Sequence, residues 1–175
     1  MTGTDLFWAL AERWPSRRTG LAQAPSTGDQ STSGPLRLGL EDEAGPGWAL
    51  TGTAAALAYG APVAARFDPA LDFYLPDQSV LRRATTLLGA AGSPDSAPAT
   101  VRVAPVAAAV TRRLTNPVPP DTTAKSGRTA TATGTSWAGW LLTHPLFVAL
   151  NLSQDHGRGR EILASWTPSE GTRVW

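Results

Sequence analysis

Between Pro69 and Ala104 the hydrophobic period of the chain switches from strand to helix and back, and this limits the folds open to it. Residues 71–75 read Leu-Asp-Phe-Tyr-Leu, an aliphatic and aromatic run between Pro69 and Pro76 that predicts a strand. Asp77 then stands where a helix N-cap is wanted, ahead of Val80, Leu81, Ala84, Leu87 and Leu88 on one face, and Gly89 supplies the stop. Residues 100–104 alternate Val101 and Val103 with Arg102, the signature of a half-buried strand. Together they make a strand–helix–strand unit. If its strands are parallel neighbours in one sheet, the crossover is expected to be right-handed.

The flanks are read around that unit. Leu6, Phe7, Leu10 and Trp14 fall on one stripe, which predicts a helix with Asp5 near its start and Pro15 at its end. Residues 16–47 are rich in Ser, Thr, Gly and Pro and read as loop, with a short strand predicted over 36–40. Residues 48–60 predict a compact helix capped by Thr51 or Thr53 and stopped by Gly60 and Pro62, its alanines packed closely on a sheet. Residues 141–152 and 159–166 predict two short helices, the second capped by Asp155. From Thr115 to Ser136 all periodicity is lost, as in a linker or long loop. The organisation expected is an α+β core over 1–114, a linker over 115–136, and a helical C-terminal segment over 137–175 packing on the core. Its fold class is a small mixed sheet with a β-α-β unit covered by helices.

Composition narrows the function classes. The 175 residues suit one domain, large enough to bury a core without staples. There is no cysteine, so disulfides, thiolate metal sites and a cysteine nucleophile are excluded, and a cytoplasmic location is the simple expectation. Fifteen basic residues against fourteen acidic ones leave a formal charge of +1, which gives no strong field for nucleic acid or an acidic membrane. No apolar run approaches the ~20 residues of a membrane span. The first ten residues lack a basic region followed by an apolar core, so no secretory signal is expected.

Few residues offer chemistry. The two histidines, His144 and His156, have no carboxylate at metal-ligand spacing, and His144 before Pro145 suits a helix cap. The Gly-x-Ser-x-Gly pattern of serine hydrolases is absent. Gly157-Arg158-Gly159-Arg160 opens a predicted helix and offers two readings: an anion site through Arg158 and Arg160, or a tight turn with surface arginines. A small-residue helix, Gly60, a loop with Arg66, and the acidic segment Asp68 to Leu75 follow the order of a nucleotidyltransferase-like core. Such enzymes hold Mg²⁺ on clustered carboxylates, because two metals need several oxygen ligands at short range. Here Asp72 is followed two residues on by Tyr74, and the later strand carries no acid. The core is therefore expected to be degenerate, with no cofactor and no metal.

Several blocks carry a family likeness. They are residues 6–14 (Leu-Phe-Trp-Ala-Leu-Ala-Glu-Arg-Trp), 48–56 (Trp-Ala-Leu-Thr-Gly-Thr-Ala-Ala-Ala), 72–77, 100–105, 144–150 (His-Pro-Leu-Phe-Val-Ala-Leu) and 157–163. In these the chain resembles the AbiEi-type antitoxins of type IV toxin–antitoxin systems, in their actinobacterial form. The resemblance implies a protein that counters a nucleotidyltransferase-like toxin encoded beside it. Many members also carry an N-terminal winged helix that binds DNA, whereas this sequence opens directly into its first predicted helix.

Three readings follow. The first is a non-catalytic interaction domain with a toxin as partner; seven tryptophans favour contact surfaces, although at least four are expected in the core, with Trp137 and Trp140 the exposed pair. The second is a reduced Mg²⁺-dependent nucleotidyltransferase using Asp68 and Asp72. The third is a DNA-binding regulator with Arg82, Arg83, Arg112 and Arg113 facing phosphates. The candidate binding residues are thus Arg66, Asp72, Trp137, Trp140, Arg158 and Arg160.

Overall fold

A computed structural model describes residues 2–27, 30–63, 69–117 and 137–175. In chain order its elements are α1 (Gly3–Ala11), β1 (Thr19–Leu21), α2 (Gln30–Leu36), β2 (Ala49–Thr51), α3 (Gly52–Ala58), β3 (Leu71–Leu75), α4 (Gln78–Leu88), β4 (Ala99–Val103), α5 (Ala108–Thr111), α6 (Pro145–Leu152) and α7 (Gly159–Ser165). The strands form one mixed sheet in the order β1-β4-β3-β2. This is the α+β class expected, with helices packed on the sheet.

The centre of the sheet is the strand–helix–strand unit. β3 and β4 pair in parallel, placing Asp72 beside Thr100 and Tyr74 beside Arg102. Asp77 caps α4 by accepting from the backbone N–H groups of Ser79 and Val80, at 2.8 and 3.0 Å. Val80, Ala84 and Leu88 form its buried face, while Leu87 is exposed. The short outer strands both pair antiparallel, β2 on β3 and β1 on β4.

Three local expectations are corrected. Residues 48–60 are not one helix: Ala49–Thr51 form an edge strand, and Gly52 switches the chain into α3. Gly52 has φ +66, which favours glycine, and an added Cβ would lie 3.2 Å from the Asp72 Cβ. The strand over 36–40 does not form, because Leu36 ends α2 and Arg37 turns the chain with φ 52. The strand in that loop region is β1, too short to show a period. Residues 141–144 precede α6, and Leu142 bridges Leu50 and Leu114. Leu50 donates to the Leu141 carbonyl at 2.9 Å and accepts from Thr143 N–H at 3.0 Å, so this segment lies along the free edge of β2.

Residues 137–175 thus complete the core, contributing Trp137, Trp140, Leu142, Val148, Leu150 and Trp166 to it. Trp140 sits edge-on to Phe73 at 4.7 Å and stacks with Trp48 at 6.3 Å. The proposed linker 115–136 lies outside the described residues except for Thr115, Asn116 and Pro117. Among the described residues no helix is long and apolar enough to cross a membrane.

His144 caps α6 as expected, its Nδ1 accepting from Leu146 N–H at 3.2 Å. Burial holds its pKa below the ordinary 6.5, since the cation is poorly solvated there. Protonation would also turn the capping acceptor into a donor. The unfolded chain therefore binds this proton more readily, and the stabilisation is complete above the unfolded pKa and lost as pH falls through the folded one. Urea midpoints measured from pH 8 to 5 should fall on acidification. The fall should be shallower in His144→Asn, which keeps a cap acceptor that does not titrate.

Candidate functional site

Strand alternation places Asp72 and Tyr74 on one face of the sheet, and parallel pairing adds Thr100 and Arg102 beside them. Thr51 joins from β2, directly opposite Asp72. α6 covers this face and brings Asn151, the one polar side chain within an otherwise apolar helix.

The Asp72 carboxylate is the hub. Its Oδ1 accepts from Thr100 Oγ1 at 2.9 Å. Its Oδ2 accepts from Arg102 Nη2 at 2.7 Å and from Asn151 Nδ2 at 2.8 Å. Asn151 Nδ2 also reaches Thr51 Oγ1 at 3.3 Å. The Asp72 and Arg102 side chains are only 12 % and 6 % exposed, so this is a buried ion pair with both carboxylate oxygens engaged. Arg102 was expected on the wet side of a half-buried strand; instead it is buried, because α6 and the chain around Trp14 close over that side.

Tyr74 stands two residues beyond Asp72 on the same face of β3. Its hydroxyl accepts from Trp14 Nε1 at 2.9 Å, and its ring lies 5.9 Å from the Arg102 guanidinium. Burial pushes its pKa up to about 12, so the phenol stays protonated at any physiological pH. Among the described residues no three His, Asp or Glu side chains gather so as to hold a metal ion. As placed, Asp72 is neutralised and its oxygens are directed at protein donors, which suits it to fixing the sheet against α6. The Arg102 Nε is buried without a partner among the described residues.

Of the sequence candidates, Asp72 and Arg158 line one hollow of about 390 Å³, with Arg18, Thr53, Thr100 and Asn151. Arg158 and Arg160 are exposed, on the turn that Asp155 fixes by accepting from Gly157 and Arg158 N–H at 3.0 and 3.1 Å. Arg160 does not line that hollow and lies over the Trp8 ring at 5.5 Å. Arg66, with Asp68, lies outside the described residues. The exposed pair Trp137 and Trp140 is a correction: they are 9 % and 1 % exposed. Pairing of Leu142 with Leu50 and Leu114 draws the segment onto the apolar face, and Asn116 Nδ2 holds the Trp137 carbonyl at 2.9 Å.

Arg113, read as a phosphate contact, is also buried. Its guanidinium donates to the carbonyls of Leu38, Trp48, Gly45 and Asp42, organising the loop before β2. Thr51, Thr100, Arg102 and Asn151 were not singled out from sequence. The signal for Thr100 and Arg102 was the register of a parallel pair; for Asn151 it was a lone amide in Leu-Phe-Val-Ala-Leu-Asn-Leu.

No family model matches the chain, and neither the curated proteins nor the solved structures contain a significant match to it.

The buried pair should behave as a unit. Asp72→Ala leaves Arg102 buried and unpaired and is expected to cost about 3–5 kcal/mol in urea unfolding. The double variant Asp72→Ala/Arg102→Met should cost clearly less than the sum of the two single changes. Additive costs would mean that the two side chains are not coupled.

Proposed function

We propose that this chain is a non-catalytic interaction domain, of the kind its resemblance to type IV antitoxins implies, which neutralises a nucleotidyltransferase-like toxin in the cytoplasm. The observation that carries the reading is the state of Asp72. The acid that an active nucleotidyltransferase would present to Mg²⁺ is here paired with Arg102 and held by Thr100 and Asn151. Drawing it out of that network toward a metal ion would leave a buried guanidinium unpaired, which is costly.

The blocks behind the resemblance support the same reading in another way. They fall on α1, β2 with α3, β3, β4, α6 and α7, where they supply packing. A domain kept for its shape presents surfaces to a partner. Six of the seven tryptophans are buried, so tryptophan anchors are not the contact. The surface we assign to the toxin is the outer side of α1. There Leu6 and Leu10 stand one turn apart, 60 % and 42 % exposed, while Phe7 and Ala11 face the core.

Co-expression with a nucleotidyltransferase-like toxin, of the kind that the resemblance implies is encoded beside the domain, tests this. The wild-type domain should relieve toxicity and co-purify with the toxin. Leu6→Asp/Leu10→Asp should lose both properties while its own stability shifts by less than ~1 kcal/mol, as for exposed positions. A domain that neither rescues growth nor co-purifies refutes the reading. Nucleotide label transfer to RNA that disappears in Asp72→Asn would replace it with an enzymatic one.

A further inference from the structure

Beside the Asp72 network a second hollow, of about 460 Å³, opens between the sheet and the end of α6. Arg18 and Arg102 border it from the sheet, and Asn151, Asp155 and His156 from the end of α6 and the turn after it. β1 pairs antiparallel with β4, with Thr19 opposite Val101, so one step further the register sets Arg18 opposite Arg102. Two like charges at opposed positions repel, and an anion placed against both relieves that repulsion.

Neither arginine is saturated by its own partner. Arg102 is 6 % exposed, and only its Nη2 is bonded, to Asp72 at 2.7 Å. Its Nε is buried without a partner, and its Nη1 has no hydrogen bond among the described residues. A buried guanidinium left so under-satisfied is costly unless an acceptor comes from outside the chain. Arg18 reaches Asp95 at 2.6 Å, but that pair stands in water and holds Arg18 weakly.

The opposite wall offers acceptors. Asp155 commits Oδ1 to the N–H groups of Gly157 and Arg158, and Asn151 commits Nδ2 to Asp72 and Thr51. Asp155 Oδ2 and Asn151 Oδ1 have no hydrogen bond among the described residues. His156 turns its Nδ1 to the Gln154 carbonyl at 3.0 Å. With partners counted and His156 taken as neutral, Arg18, Arg102 and Arg158 are balanced by Asp72, Asp95 and Asp155. A ligand of one charge gains little from such a balance, whereas one carrying both signs is matched on each wall. The adjoining hollow of about 390 Å³ shares Arg18, Asn151 and Asp155 with this one and adds the apolar side chains of Leu57, Leu152 and Pro94.

We propose that the two adjoining hollows bind a free amino acid with an apolar side chain. Its carboxylate accepts from Arg102 and Arg18, its ammonium donates to Asp155 and Asn151, and its side chain lies toward Leu57 and Leu152. The site is independent of the toxin-binding reading, since it uses neither Leu6 nor Leu10.

The test is titration of the ¹⁵N-labelled full chain with L-leucine, followed through the Asn151 and Gln154 side-chain amide resonances. The controls are 4-methylpentanoate, which lacks the ammonium, and 3-methylbutylamine, which lacks the carboxylate. Leucine should move these signals saturably, and each control should bind at least about tenfold more weakly. Arg18→Gln, at an exposed position that leaves the Asp72–Arg102 pair intact, should weaken leucine binding by about tenfold. Asp155→Asn keeps an oxygen to accept from Gly157 and Arg158 but loses the charge, and should weaken it by a similar factor. Absence of shifts at about 10 mM leucine, a control that binds as tightly as leucine, or unchanged binding in either variant would overturn the proposal.

Discussion

The structure depends on one buried ion pair. Asp72 and Arg102 stand on adjacent parallel strands at positions two residues out of step along the sheet, and both are sealed under α6. Taking either charge out of water is costly, so each is tolerable only while the other is in place. The pair therefore fixes register: a one-residue slip of β4 against β3 would turn Arg102 to the apolar face beside Phe73. Asn151 extends the same demand to α6, since its amide must lie over Asp72 and Thr51 together. Polar groups here specify one arrangement among several that apolar packing would accept.

The same network separates shape from chemistry. Asp72 lies on a central strand of the mixed sheet, where its charge is answered from within the protein by Arg102. Tyr74, two residues on, adds a buried phenol bonded to Trp14 on the same face. The two sides of α1 differ in character. One carries isolated leucines; the other faces a recess of indoles and guanidinium groups.

Much of the centre was legible in the sequence. β3, α4 and β4 were read nearly to the residue, because flanking prolines, the Asp77 cap and Gly89 are local signals. The edges were not. β1 and β2 are three residues each, too short for a period, and Ala49–Thr51 merge in composition with the alanines of α3. The break between them is the backbone conformation of Gly52, which composition does not reveal. Asp72 was legible as the site's centre, but its partners were separated in sequence by 28, 30 and 79 residues. Trp140 was misjudged for the same reason: its burial follows from a pairing with β2 that no local pattern announces.

That pairing has a consequence for how the chain acquires its shape on the ribosome. Leu50 takes its edge partners from Leu141 and Thr143, ninety-odd positions downstream, so β2 remains an uncapped template until those residues have been made. Trp48 and Phe73 likewise wait for Trp140 to cover them. Closure is thus a non-local event, and the edge of β2 stays open to other strands until residues 137–143 are in place.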